Sequence, residues 1–303
     1  MAEDQGVNGD IWNEEACKLF QILGWEKIGD SNIDVKGDDS KMYGIDTFLR
    51  YPSPHLSHPQ SLILEAKRYA TNNFHDSTLK KWIDILDKKI IKLRNSQELF
   101  EQFPVLEESS TLNTAIIVVW FHDWNENRSF HKEYLSILSG IKISSHPKST
   151  GIKKIVVLHN DIILKLCSLY DSMQRYKIES GYDVLFFYPS SLINNKPVVR
   201  QNSISIEYIY SKIILAESKN INGVECKIVF YFGILSLAAF KSLKAAIMPY
   251  SYIDKDRPLI IYIYTDDIDF RKIRPDVENL FEGIDLTLKF MDHHASLPPY
   301  LKE

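Results

Sequence analysis

Apolar positions recur along the chain with two periods, and the alternation between them outlines the elements. Ile11, Trp12, Ala16, Leu19, Phe20 and Leu23 share one face of a helix, and Gly24 stands where a left-handed C-cap belongs. Residues 25–35 read as an extended segment leading into the loop 36–40. A strand follows over 42–51, then a loop over 52–59 that holds three prolines, then a strand over 61–68 that is apolar on both faces. Leu79, Trp82, Ile83, Leu86, Ile90 and Leu93 predict a long helix over 78–103, stopped by Pro104. The run Thr114 to Phe121 is rich in β-branched residues and predicts a central strand. A short helix over 130–138, a strand over 153–159, a helix over 161–176 and a strand over 182–188 complete the first part.

The stretch 189–197 is polar and Asn-rich, and marks a linker. Beyond it the pattern predicts strands near 204–216 and 225–232, a helix near 234–247, a strand over 259–265, a helix near 275–282 and a last strand over 284–291. The expectation is therefore two units. The first, 1–190, is an α/β fold with a mixed central sheet flanked by helices. The second, 200–303, is an additional C-terminal α/β unit for partner, dimer or substrate recognition. No internal repeat or low-complexity tract interrupts this layout.

Composition narrows the function classes. The 303 residues are 45% hydrophobic and 25% charged, ordinary globular values. A net charge of −4 excludes a uniformly polybasic nucleic-acid binder, so any basic surface must be local or come from assembly. Cys17, Cys167 and Cys226 are far apart and form no disulfide or zinc pattern. The polar N-terminus and the lack of a long apolar run predict no secretory signal and no membrane span, so a cytoplasmic location is expected.

The chemistry concentrates at the end of the 61–68 strand, in Glu65-Ala66-Lys67, and at Asp46, nineteen residues upstream. Burying a carboxylate and a lysine at a strand end is costly unless they serve each other or a cation. Glu65 and Lys67 are two apart, so they share a face of the strand. If strands 42–51 and 61–68 are neighbours, Asp46 comes beside Glu65. Two carboxylates and the Ala66 carbonyl make a hard-oxygen site suited to Mg²⁺ or Mn²⁺. Lys67 then orients an attacking water or stabilises charge on phosphate.

This arrangement resembles the PD-(D/E)xK nuclease superfamily, the restriction-endonuclease-like fold, over about residues 11–122. Gly44-Ile45-Asp46 followed by Glu65-Ala66-Lys67 is most similar to the Mrr-type and Holliday-resolvase-like branches. The resemblance implies that Asp46 and Glu65 bind the metal, that Lys67 is catalytic, and that the reaction is phosphodiester hydrolysis, of DNA ahead of RNA. Ile45 stands at the position of the superfamily's proline. An extra acid that many relatives carry on the first helix maps to Asn13, with Glu14 next to it. The glutamine some relatives place on the following helix is missing near Thr78–Trp82, where Lys80 and Lys81 are candidate phosphate contacts.

By analogy the chain is a defence effector against phage or plasmid DNA, working as a homo-oligomer or with a protein partner from the same system. The alternatives are a non-catalytic nuclease-fold subunit and an RNA- or tRNA-directed nuclease. His55 and His58, in the proline-rich loop expected to overhang the site, read as solvated loop histidines ahead of substrate contacts. His122 and Asp123 at a strand end read as a plain turn ahead of cleft residues. His293-His294 and the acidic run at 266–269 lack the further ligands that a metal site needs.

Overall fold

The computed structural model describes residues 7–125, 129–140, 154–190, 197–264 and 270–302. The acidic run at 266–269 and most of the 189–197 linker lie outside them. The elements are, in chain order, α1 (Val7–Ile22), β1 (Glu26–Ile28), β2 (Ile33–Lys36), β3 (Met42–Ile45), β4 (Thr47–Tyr51), β5 (Gln60–Tyr69), α2 (Asp76–Leu93), α3 (Gln97–Gln102), α4 (Pro104–Glu107), β6 (Ser110–Phe121), α5 (Phe130–Gly140) and β7 (Lys154–Leu158). They continue with α6 (Asn160–Ser180), β8 (Leu185–Tyr188), β9 (Val199–Gln201), α7 (Ile206–Ile209), β10 (Ile213–Lys219), β11 (Glu225–Tyr231), α8 (Leu237–Ile247), β12 (Leu259–Ile263), α9 (Phe270–Leu280) and β13 (Leu286–Phe290).

The chain divides into two compact units, residues 1–163 with 299–303, and residues 164–298. This division falls earlier than the expected boundary at 190–200. The reason is β8, which pairs with β10 in the second sheet. The first unit holds a mixed five-stranded sheet of order β1-β4-β5-β6-β7. β4 runs antiparallel to β1 and β5, while β5, β6 and β7 are parallel. This is the mixed sheet flanked by helices that the element order predicts.

Alternate residues of the central strands face opposite layers. Ile63, Ala115, Ile117, Val119 and Phe121 form one core with Leu79, Trp82, Ile83, Leu86 and Ile90 of α2. The other face takes α1, whose Trp12 indole donates to the Val118 carbonyl at 3.1 Å and tilts against Trp120. A sheet covered on both faces needs apolar residues at every position, which is why 62–64 and 115–119 read as unbroken runs.

Three elements differ from the sequence pattern. The strand expected over 42–51 breaks at Asp46, because β3 leaves the sheet to pair with β2 in a separate ribbon. The helix expected over 78–103 stops at Leu93 and restarts at Gln97, where the Ser96 hydroxyl caps the new helix by accepting from Leu99 N–H. The strand expected near 204–216 is a turn of helix followed by β10.

The second unit has a six-stranded sheet, order β13-β12-β11-β10-β8-β9, in which β11, β12 and β13 are parallel. α8 and α9 cover one face through Phe240, Leu243, Ile247, Phe270 and Val277.

The end of β6 is closed by a side chain acting as a strand. Asn160 donates to the Phe121 carbonyl and accepts from the Phe121 N–H, both at 2.9 Å and both buried. Asn160→Leu strands the Phe121 N–H and leaves its carbonyl with the Trp124 N–H at 3.3 Å. Urea denaturation should show a loss of about 1–3 kcal/mol.

Candidate active site

The break at Asp46 builds the site. β4 pairs with β5 from Tyr51 opposite Gln60 to Thr47 opposite Leu64, and there it ends. The next residue of β5, Glu65, has β6 on one side and no β4 partner on the other. Asp46 takes over where the ladder stops, and its carboxylate accepts the Ala66 N–H at 2.8 Å. In a strand the N–H and C=O of one residue leave the same side. The Ala66 carbonyl therefore faces the Asp46 side as well, free of a strand partner there. Glu65 and Lys67, opposite Ile117 and Val119, point to the α2 face.

The turn that carries Asp46 is held from below. Its carbonyl accepts from the Asn32 N–H at 2.8 Å and from the Asn13 amide at 3.1 Å. Asn13, only 2% exposed, also takes the Thr47 hydroxyl and reaches the Asn32 side chain. Asn13 thus braces the turn that carries Asp46. Glu14 is turned away and pairs with Lys27 at 3.1 Å, so it does not reach the site.

Two lysines neutralise Glu65. Lys67 lies 3.5 Å away, and Lys89 of α2 makes the second ion pair. Lys89 belongs to no motif of the chain, yet its spacing carries the signal. Trp82, Ile85, Leu86 and Lys89 form an i, i+3, i+4, i+7 stripe, so Lys89 occupies an inward position. These four residues, with Glu65, Lys67, Lys81 and Ile117, line a cavity of about 220 Å³. Lys80 is exposed and not among its lining residues.

Burial and the neighbouring Glu65 carboxylate push Asp46 up to about 6, against the opposing pull of Lys67 and the Ala66 N–H. An acid raised by a second acid marks a place where a cation is favoured. Asp46, Glu65 and the Ala66 carbonyl are the residues that fit a divalent ion, a hard-oxygen set of the kind Mg²⁺ and Mn²⁺ prefer. Among the described residues no group of three or more His, Cys, Asp or Glu side chains forms a metal cluster, so the backbone carbonyl is needed to complete this one.

The weaker candidates fall elsewhere. The loop with His55 and His58 leaves β5 at Gln60, about 16 Å along the strand from Glu65 at ~3.3 Å per residue, so it does not overhang the site. Asp123 is used by a strand-end turn, accepting from the Thr71 N–H and hydroxyl. His122 donates its backbone N–H to Tyr69 in the same turn. In the second unit His294 pairs with Asp171 at 2.6 Å and His293 stacks on Tyr264. Among the described residues no helix is long and apolar enough to cross a membrane.

The Asp46 shift has a sign that stability measurements can read. Its folded pKa lies above the ordinary aspartate value, so the folded chain holds more protons between about pH 4 and pH 6. Stability should fall as pH rises through that window and level off above it. In EDTA, urea denaturation of wild type should show an extra drop on the order of 1–2 kcal/mol that Asp46→Asn lacks.

A search of curated proteins finds no match. A family profile does match. Its description is GAPS4 protein PD-(D/E)XK nuclease domain, and it covers residues 1–162, the span that contains Asp46, Glu65, Lys67 and Lys89. The match takes in more than half of the 303 residues, and the chain belongs to this family of PD-(D/E)XK nucleases.

Proposed function

We propose that this nuclease is a Mg²⁺- or Mn²⁺-dependent endodeoxyribonuclease, with Asp46 and Glu65 as metal carboxylates, the Ala66 carbonyl as third donor and Lys67 as the catalytic lysine. The observation that carries this reading is the capture of the Ala66 N–H by Asp46 at the end of β4, which gathers both acids and the carbonyl around one strand edge. A divalent ion bound there supplies a Lewis acid to a phosphoryl oxygen and lowers the pKa of a bound water.

The chain's own residues do the rest. The Ala66 N–H and the Asn13 amide fix the Asp46 carboxylate and its turn, so the site is organised before substrate arrives. Lys67 and Lys89 hold positive charge where negative charge grows on the phosphoryl oxygens. Lys81, exposed at the cavity, extends this charge toward a phosphate backbone. The same proposal extends to a role in defence against phage or plasmid DNA, which the GAPS4 name of the matching family fits, and to work with a partner protein in the cytoplasm.

Purified protein incubated with plasmid, linear duplex, single-stranded DNA and tRNA tests the reading. Cleavage of DNA with Mg²⁺ or Mn²⁺ should vanish in EDTA. Glu65→Ala, Lys67→Ala and Asp46→Asn should each lower it roughly 100-fold or more. Cleavage that persists in all three variants overturns the assigned residues. Cleavage of tRNA alone makes the enzyme a ribonuclease, and no cleavage of any substrate makes the chain a subunit that needs its partner.

Lys89→Met should keep the fold, read by circular dichroism, and lower plasmid cleavage by about 10- to 100-fold. An unchanged rate would confine Lys89 to balancing the charge of Glu65.

A further inference from the structure

Both oxygens of the Glu65 carboxylate are already engaged by cations of the chain. Oε2 faces the Lys67 ammonium at 3.5 Å, and Oε1 is bonded to Lys89. The two lysines are held differently. Lys67 is fixed on β5 with Glu65 itself. Lys89 reaches across from the facing helix α2, where it shares the cavity wall with Trp82, Ile85 and Leu86.

The Lys89 side chain is 13% exposed and that of Glu65 is 9% exposed. A pair this deep is costly to break, because each charge loses its partner without regaining full hydration. Among the described residues that line the cavity, Glu65 is the sole acid beside three lysines, Lys67, Lys81 and Lys89. Once Lys89 leaves Glu65, the cavity wall offers its ammonium no second carboxylate.

This arrangement sets a condition on metal binding. Ionised Asp46 and Glu65 carry two negative charges, and Lys67 and Lys89, which both act on Asp46 as well, cancel them. A divalent ion added to that neutral group meets two ammoniums on the carboxylate it needs. Glu65 becomes available as Lys89 gives way, and Lys89 gives way readily only where another anion receives it. A substrate phosphate is such an anion, and Lys81, exposed at the same cavity, adds attraction for it.

We propose, on the reading of Asp46 and Glu65 as metal carboxylates, that Lys89 is a resident cation that keeps the metal's place on Glu65 and moves to a substrate phosphate when a divalent ion binds. Metal and nucleic acid then strengthen each other's binding, equally in both directions by linkage. Without nucleic acid the carboxylates stay neutralised by the chain's own lysines and the ion is held loosely. Lys89→Met should therefore bind the ion better and cleave worse.

Mn²⁺ binding to the full chain, followed by the electron paramagnetic resonance of the free ion, tests this with and without a phosphorothioate duplex that resists cleavage. Without duplex, Lys89→Met and Lys89→Gln should bind Mn²⁺ at least about fivefold more tightly than wild type. Duplex should tighten binding by wild type at least about fivefold, and by these two variants less. Lys89→Arg, which keeps the charge, should behave as wild type. Removing a side chain that merely braced the fold would weaken metal binding, so a gain in affinity separates the two roles. Glu65→Ala should lose the ion in every condition. Retention of the ion by Glu65→Ala overturns the metal assignment and the proposal with it. Loss of the ion in Glu65→Ala, together with wild-type affinity in Lys89→Met and Lys89→Gln or an equal duplex effect in all three chains, overturns the role of Lys89 alone.

Discussion

One hydrogen bond organises the first unit, the acceptance of the Ala66 N–H by the Asp46 carboxylate. A sheet edge ordinarily presents a row of unpaired backbone groups, which proteins cover or pair. Here β4 ends opposite Leu64, one residue short of Glu65, and an aspartate side chain does the work of the missing backbone. The substitution turns a local defect in the ladder into the candidate site. It places a carboxylate at the edge, leaves a carbonyl beside it, and leaves Glu65 free to point to the other layer.

The same bond accounts for the electrostatics. A carboxylate tied to a strand edge cannot retreat into water when a second carboxylate comes close. Asp46 is raised by burial and by Glu65, while Glu65 is balanced by Lys67 and Lys89. The centre is thus asymmetric. One acid pairs directly with lysines from two different elements, and the other is held by a backbone N–H.

Much of this was legible in the sequence, and for reasons that particular residues make plain. The runs 62–64 and 115–119 announce a doubly covered strand because no polar residue can stand there. Glu65 and Lys67 then draw notice as charges at the end of such a run. The break at Asp46 was not legible, since Met42 to Tyr51 alternates well enough for one strand and only pairing tells which ribbon owns its first half. Lys89 and Asn13 were missed as members of the site for a related reason. Each sits on a helix face that pattern alone assigns to packing, and only the neighbouring layer shows that the face meets an acid or a turn. The second unit was legible as α/β, but its first strand was credited to the wrong sheet, because a strand carries no mark of its partner in its own composition.

Asn13 has a consequence beyond geometry. It is a residue of helix α1, and its amide grips the carbonyl of the aspartate on which the centre rests. The helix is therefore a lever on the Asp46 turn. Anything that unwinds or rotates its first turns, such as a protease, a bulky fusion or a protein clasping the exposed side, slackens that turn while every acidic and basic residue around it stays in place.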